Sequence, residues 1–292
     1  MDAAADAAAP RVFHSPARPT LLDTTPPPVP ASLPSRPATG PLLGAFALDG
    51  VIAIAVVLGV SLAAGVVWAF YQAFLIGMAS GGQVQDPASL AAGIGQPGAL
   101  AQMLMALISM SAAALLLYLW RRRADAAERA ASFTAARRGA TWGWTVLVGA
   151  AAFVGSGLIA HLARLMGSEP VPTNLAMVEE AVQRWPVFLV LFAVVLAPLY
   201  EELLFRRVLF GRFVAAGRPW LGLVLSSLAF ALIHEVPGLS ANAPLAVLQL
   251  WLVYGGMGAL FAWLYWRTGT LWAPIAAHAL NNGLALAFHG LG

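Results

Sequence analysis

Residues 186–213 read PVFLVLFAVVLAPLYEELLFRRVLFGRF, an apolar run longer than the roughly 20 residues that a membrane-spanning helix needs. Glu201, Glu202 and Arg206 interrupt this run. An ionisable side chain at bilayer depth costs about 2.5–3.5 kcal/mol on insertion scales, so each of these three residues requires a structural or functional reason. The run therefore predicts a membrane helix that carries a buried polar site.

The composition of the whole chain is that of a membrane protein. Of its 292 residues, 60% are hydrophobic and only 10% are charged, and the mean hydropathy is +0.78. A soluble domain is about 25% charged, so this chain has too few charges to solvate its surface. Cysteine is absent, which excludes disulfides, thiolate metal sites and a cysteine nucleophile. The 16 cationic side chains are all arginine, which suggests a GC-rich bacterial source.

Seven apolar runs predict an all-α, polytopic membrane helix bundle over residues 42–292, because backbone groups in lipid must be satisfied within their own segment. The region before them, residues 1–41, holds half of the 20 prolines and no long apolar run, which predicts a disordered Pro/Ala-rich tail. The predicted helices are 48–78, 99–120, 143–166, 186–213, 219–234, 245–266 and 270–289.

Arginines mark one side of the predicted bundle. They cluster between the second and third helices, between the fourth and fifth, and between the sixth and seventh, whereas loops 79–98 and 235–244 carry none. Cytoplasmic loops are enriched in Arg and Lys, so the pattern predicts a cytosolic N-terminus and a location in the bacterial plasma membrane. Because these arginines lie at the ends of apolar runs, we expect membrane lipid and no nucleic acid as a partner.

Polar residues on three different helices lie at similar depths. At 1.5 Å per residue, Glu201 lies roughly 16–22 Å from the cytosolic end of its helix, and His234 lies about 20 Å from the cytosolic end of the next one. On the last helix, His278 and Asn282 lie about 12 and 18 Å from the cytosolic end. This agreement predicts a single buried polar cavity.

The spacing within the fourth helix separates its two carboxylates. Glu202 and Arg206 are four residues apart, with the acid first, which favours an ion pair on one helix face. Glu201 points about 100° away, so it lacks a partner on its own helix and is free to hold a water molecule. Pro198 should loosen the helix just before the carboxylates.

Three short motifs follow one another on the fourth, fifth and seventh predicted helices: Glu201-Glu202-x-x-x-Arg206, Phe230-x-x-x-His234 and His278-x-x-x-Asn282. In this order they resemble the motifs of the CPBP family of intramembrane proteases, which includes the CAAX prenyl endopeptidases and bacteriocin-processing relatives. The similarity covers about residues 186–286 and includes the stretch 267–274 before the last motif.

The resemblance implies hydrolysis of a peptide bond within the membrane, in a membrane-embedded or lipid-modified substrate. It implies that Glu201 and His234 activate water as the general base. It further implies that His278 and Asn282 stabilise the oxyanion. The resemblance assigns Glu202, Arg206 and Phe230 supporting roles.

Three alternatives stay open at the level of the sequence. The first is a zinc-dependent version in which Glu201, His234 and His278 are ligands; we favour the metal-free version, with no cofactor, because Asn282 is a poor zinc ligand. The second is a non-catalytic binding or immunity protein on the same scaffold. The third is a transporter, which the lack of inverted repeats disfavours. The oligomeric state is left open.

Other polar and small residues receive non-catalytic interpretations. Ser156, flanked by two glycines and followed by His161, hints at a serine protease, but small residues on a membrane helix more often form a packing seam. His234-Glu235 does not begin an HExxH zinc motif, because no histidine follows at the required spacing. We expect Glu235 to face a water-filled crevice. Close helix packing is the interpretation for Gly255, Gly256 and Gly258.

Overall fold

The protein, described here from a computed structural model covering residues 38–81, 83 and 86–289, is a bundle of helices, and no strand occurs among those residues. The predicted all-α architecture is confirmed. Residues 1–37 of the predicted tail lie outside the described part, and a helix already begins at Thr39. The helices are α1 Thr39–Ala79, α2 Pro87–Ile94, α3 Ala99–Arg121, α4 Ala126–Ala136, α5 Gly139–Leu165, α6 Leu175–Arg184, α7 Pro186–Ala215, α8 Pro219–His234, α9 Pro244–Thr268 and α10 Trp272–His289.

All seven predicted apolar segments are helices, and their ends lie within four residues of the predicted positions, except that α1 begins at Thr39 rather than at residue 48. Among the described residues, five helices are long and apolar enough to cross a membrane: α1, α3, α5, α7 and α9. Helix α8 is apolar but has only 16 residues, which is about 24 Å of helix. That α8 and α10 also cross the bilayer, giving seven spans, stays a prediction.

Three further helices, α2, α4 and α6, were not predicted from the apolar runs. Each begins within a connection between two long helices and has between 8 and 11 residues. Helix α4 has a complete capping box, in which Asp125 accepts from the backbone N–H of Glu128 at 2.7 Å and the Glu128 carboxylate accepts from the N–H of Asp125 at 3.1 Å. Local capping, rather than apolar burial, therefore defines the start of α4.

Helix α1 is the most exposed of the five long apolar helices. It is 41 residues long, yet only Leu42, Asp49 and Ala53 are buried in it. The buried carboxylate of Asp49 accepts from Arg121 on α3 and from Arg212 on α7. An acid at this depth is stable because two guanidinium groups pair with it. Asp49 thus fixes α1 to the arginine-rich end of the bundle.

Close helix packing occurs at a few glycines. A Cβ on Gly258 of α9 would lie 3.0 Å from the Cα atom of Ser227 on α8, and a Cβ on Gly149 of α5 would lie 2.9 Å from the carbonyl oxygen of Ala277 on α10. Close packing is thus confirmed at Gly258, but it is wrong for Gly256, where a Cβ would meet nothing within 4 Å.

Candidate active site

Helices α7, α8 and α10 bring the predicted site residues together. Helix α7 provides the two carboxylates and Arg206, α8 ends at His234, and α10 carries His278 in its first half. The side chains meet near the middle of the bundle, where Glu202, Arg206 and His278 are buried. The depths estimated from the sequence therefore correspond to one shared site.

Glu202 holds the site together. Its Oε1 atom lies 2.9 Å from Nδ1 of His278, and its Oε2 atom lies 2.9 Å from Nε of Arg206. The pairing with Arg206 is the predicted ion pair between residues four apart, although its alignment is not that of a hydrogen bond. Because both charged side chains are fully buried, each stabilises the other against desolvation.

Arg206 is enclosed by aromatic rings as well as by Glu202. Its guanidinium carbon lies 4.7 Å from the ring centroid of Phe230 and 5.5 Å from that of Phe261. A cation over an aromatic face is attracted by the ring quadrupole, and this attraction is larger when water is excluded. Phe230, to which the resemblance assigns a supporting role, is fully buried and supplies one face of this enclosure.

Glu201 faces away from the ion pair and towards both histidines. Its Oε2 atom lies 3.9 Å from Nε2 of His234 and 3.8 Å from Nε2 of His278. These separations are too long for direct hydrogen bonds and are typical of polar groups bridged by water. The Oε2 atom is buried and has no hydrogen-bond partner among the described residues.

The ring orientation of each histidine is fixed by its second nitrogen. Nδ1 of His234 lies 2.8 Å from the carbonyl oxygen of Phe230, which can only accept, so this nitrogen carries a proton. Nδ1 of His278 donates in the same way to Glu202. Both Nε2 atoms therefore point to Glu201, and each is available to receive, hold or donate a proton there.

Helix α7 is distorted on both sides of the carboxylates. Residues Leu191–Leu196 and Leu203–Phe210 are π-helical, and such segments frequently occur at functional sites. In the first segment the N–H of Ala197 bonds to the oxygen of Phe192, five residues earlier. The next bond in this register would need an N–H at Pro198, which has none, so the oxygen of Ala193 lacks a partner within the helix.

Asn282 supplies that missing partner. Its Nδ2 atom donates to the oxygen of Ala193 at 2.8 Å, and its Oδ1 atom accepts from Asn281 at 3.0 Å. One of the two amide protons is therefore engaged with the backbone of α7. A single N–H remains for the predicted oxyanion role. Asn282 thus joins α10 to the distorted part of α7, a role that the sequence did not indicate.

A cavity of about 460 Å³ opens beside the two histidines. Its walls come from the C-terminal half of α5, α6 with the connection before it, Ala193 of α7, the last turn of α8, the first half of α9, and α10 from His278 onward. The polar and aromatic residues of its lining include His234, Tyr254, Gln249, His278, Asn282 and Ser156.

Two cavity residues were missed by the sequence analysis. The Tyr254 ring stacks on His234 with 4.5 Å between centroids and an interplanar angle of 25°. Gln249 is buried; its Oε1 atom accepts from Ser168 at 2.6 Å, while its Nε2 atom has no hydrogen-bond partner among the described residues. Gln249 is a polar residue in an otherwise apolar stretch of α9, and this could have marked it as a candidate site residue. The sequence of α9 alone, however, does not indicate which face of the helix is buried.

The expectation for Glu235 was wrong. Its side chain is buried and accepts hydrogen bonds from Thr173 at 2.7 Å, from Asn242 at 3.1 Å and from Ser240. Burial acts to raise the pKa of this carboxyl, but these hydrogen bonds outweigh it and hold the pKa below its ordinary value. Because Asn242 also bonds to Val171, Glu235 ties the connection before α6 to the connection before α9.

The serine-protease interpretation of Ser156 gains no support. Its hydroxyl donates to the oxygen of Ala152 at 2.8 Å, and His161 is exposed. A Cβ on either flanking glycine, Gly155 or Gly157, would meet nothing within 4 Å, so the expected packing seam is wrong at this point. Ser156 instead lines the wall of the cavity.

The side chains around Glu201 match zinc ligands in chemical type but not in spacing. One carboxylate oxygen and two imidazole nitrogens are zinc ligands in kind. Ligand atoms at 2.0–2.2 Å from one tetrahedral ion lie about 3.4 Å apart. The separations of 3.8 and 3.9 Å are wider, and among the described residues no group of three His, Asp or Glu side chains forms a metal cluster.

Comparison with known proteins identifies one domain. Residues 183–284 match a family model described as type II CAAX prenyl endopeptidase Rce1-like. The chain is 30% identical over 109 residues to YdiL of Bacillus subtilis, a membrane peptidase by name. The aligned stretch is 37% of this chain and 40% of YdiL. The chain is also 31% identical over 137 residues to the membrane-embedded CAAX protease MroQ of Staphylococcus aureus, covering 44% of this chain and 49% of MroQ. The chain thus spans less than half the length of these relatives, and no solved structure matches it significantly.

Proposed function

Because residues 183–284 match the family model of Rce1-like type II CAAX prenyl endopeptidases, we propose that this protein is a multi-pass intramembrane endopeptidase of the CPBP family. It hydrolyses a peptide bond in a membrane-embedded or lipid-associated substrate. The observation that carries the proposal is the position of Glu201, whose unpartnered Oε2 atom lies within 4 Å of two imidazole nitrogens beside a cavity. We place the protein in a bacterial plasma membrane with a cytosolic N-terminus.

The first chemical step is attack of water on the substrate carbonyl carbon. Glu201, assisted by His234, removes a proton from water while the oxygen forms the new C–O bond. The carbonyl π electrons move to oxygen and form a tetrahedral oxyanion. Nε2–H of His278 and the remaining N–H of Asn282 donate to this oxyanion.

The second step breaks the C–N bond. The oxyanion electron pair re-forms the carbonyl, and the proton taken from water is delivered to the leaving nitrogen by Glu201 or His234. The products are a carboxylic acid and an amine, and the centre returns to its starting protonation state. Glu202 stabilises positive charge on His278 during this cycle, and Arg206 holds Glu202 in place.

A zinc-dependent version remains the alternative for the same site, with Glu201, His234 and His278 as ligands. Zinc would lower the pKa of a bound water to about 7 and so supply the nucleophile. Metal analysis of the purified protein separates the two versions. We expect less than stoichiometric zinc and activity that survives a chelator, whereas one zinc per chain and loss of activity on chelation would establish the zinc version.

The first experiment is to identify the substrate. We expect comparative membrane proteomics of cells producing the wild type or Glu201→Ala to show an uncleaved membrane-associated peptide only in the variant. Glu179→Ala, at an exposed position of α6, is the control and should match the wild type. A phenotype that persists unchanged in Glu201→Gln would instead support a non-catalytic binding or immunity protein.

A further inference from the structure

The cavity beside the histidines lies towards one end of the bundle, the end at which α5 finishes and α9 begins. Its lining residues on α5, α9 and α10 are Ser156, Gln249 and Asn282 together with their neighbours. Ser156 lies in the half of α5 that leads to Leu165, and Gln249 lies five residues after α9 begins. The cavity therefore lies at the end of the bundle where the connections after α5 and α8 are found.

The arginine-rich connections lie at the opposite end of the bundle. They follow α3, α7 and α9, whereas the cavity is lined by Pro170, Pro172 and Asn174 in the connection after α5, to which the connection after α8 is hydrogen-bonded through Asn242. Ten of the 16 arginines lie between residues 121 and 138, between 207 and 218, or at 267. Connections rich in arginine are retained on the cytoplasmic side, so the cavity-bordering connections lie on the other side of the membrane.

The catalytic atoms also lie closer to the arginine-poor side. His234 is the last residue of α8, about 23 Å of helix from Pro219 at the arginine-rich end. The hydrocarbon core of a bilayer is about 30 Å thick. A peptide bond that reaches His234 therefore lies beyond the middle of the membrane when viewed from the arginine-rich side.

A second cavity, of about 680 Å³, occupies the arginine-rich half but is separate from the first. It lies between α3, α4, α7 and α10, and leucines and other apolar side chains form most of its wall. Within the described part of the chain, the two cavities share no lining residue. The polar rim of this second cavity includes Glu128 and Arg207, so it faces the cytoplasmic side without leading to the histidines.

We infer that the catalytic cavity opens to the extracytoplasmic side and that the substrates are membrane-anchored polypeptides whose scissile bond is presented from that side. The inference rests on the proposed function. It defines the substrate class as exported or translocated segments held by an apolar stretch or lipid. A lipid-modified C-terminus confined to the cytoplasmic surface would have no path to Glu201 and His234.

The absence of cysteine makes this orientation directly measurable. Single cysteines are introduced by Ala241→Cys beside the cavity, Ala127→Cys on α4 and Ser156→Cys in the cavity wall. Positions 127 and 241 are exposed alanines and form a matched pair at opposite ends of the bundle. Each variant is treated with a small, charged, membrane-impermeant methanethiosulfonate reagent, in intact cells and in inverted membrane vesicles.

We expect Ala241→Cys and Ser156→Cys to react at least tenfold faster in intact cells than Ala127→Cys, and the order of positions 127 and 241 to reverse in inverted vesicles. Faster reaction of Ala127→Cys in intact cells, or failure of Ser156→Cys to react there, would overturn the inference. Labelling requires no catalysis. An outward-facing cavity in a protein without activity would therefore refute only the proposed function, and an active protein with the opposite labelling would refute only the orientation.

Discussion

The two cavities described above differ in how their polar groups are held. Beside the histidines, the buried Glu202 pairs with Arg206 and His278, and aromatic rings exclude water from the pair. In the arginine-rich half, Glu128 pairs with Arg207 at the rim, and the Glu128 side chain is 46% exposed. A buried pair has no substitute partner when one member is lost, whereas an exposed group is solvated by water. The consecutive residues Arg206 and Arg207 therefore allow a direct test of this difference.

The largest expected effect is that of Arg206→Met. The change removes the guanidinium partner of the buried Glu202 and leaves it only the imidazole of His278, so we expect a loss of about 3–5 kcal/mol in the free energy of unfolding, together with loss of activity. Unfolding in detergent, followed by denaturant titration or thermal melting, measures this. The matched variant Arg207→Met breaks a pair at the rim, where less than about 1 kcal/mol is expected. Equal losses in the two variants would refute the distinction between the cavities.

Glu202→Gln tests how the buried carboxylate positions His278. The amide keeps a similar size but removes the negative charge that stabilises a protonated imidazole. We expect kcat to fall roughly 10–100-fold with little change in KM, as for other groups that orient a reacting histidine. Steady-state kinetics on the identified substrate measures both constants. Glu128→Gln at the other cavity is the control, and a drop of similar size there would contradict this role.

Gly258→Ala tests the packing that supports the histidine side. The added Cβ would press on Ser227, and the carbonyl oxygen of Gly258 accepts from Arg206 at 3.4 Å, so the strain reaches the buried pair. We expect a loss of about 1–3 kcal/mol in stability. Gly256→Ala, two residues earlier with open space at its Cβ, should be neutral or slightly stabilising. The melting temperatures of both variants measure these effects. Equal melting temperatures would show that α8 and α9 can move apart without loss of stability.

The smallest expected effect is a pH dependence at the arginine-rich cavity. The hydrogen bond from Arg207 lowers the pKa of Glu128 below its ordinary 4.5, despite the opposing effect of burial. The stability from this pair is therefore present above about pH 4.5 and is lost as the pH falls through the lowered pKa. The measurement is the difference in melting temperature between the wild type and Glu128→Gln. It should shrink below pH 4.5, and a difference that grows there would contradict the assignment.

The sequence predicted the long helices well because each depends on a single local property. A run of apolar residues near bilayer length forms a helix whatever its neighbours are, so the predicted 219–234 agrees with α8 at both ends. The start of α1 was predicted nine residues too late, because residues 39–47 are less uniformly apolar. The short helices α2, α4 and α6 were missed because a search for bilayer-length runs cannot detect them.

The site was predictable to the extent that it depends on motif spacing and depth. The pairing of Glu202 with Arg206, and the separate orientation of Glu201, follow from helix geometry alone. The contacts of Asp49 do not, because its two arginine partners lie 72 and 163 residues away in the chain. The burial of Glu235 and of Gln249 likewise depends on how connections and helices pack, which the local sequence does not determine.

The most direct test of the central claim is cleavage by purified protein in lipid vesicles. Wild type, Glu201→Gln and the control Glu179→Gln are compared on one substrate identified by proteomics. We expect the control to cleave at the wild-type rate and Glu201→Gln to lose about 10²–10⁴-fold in kcat, because the amide cannot remove a proton from water. Cleavage by Glu201→Gln at the wild-type rate would contradict the assignment of the hydrolytic centre to Glu201 and its two histidines.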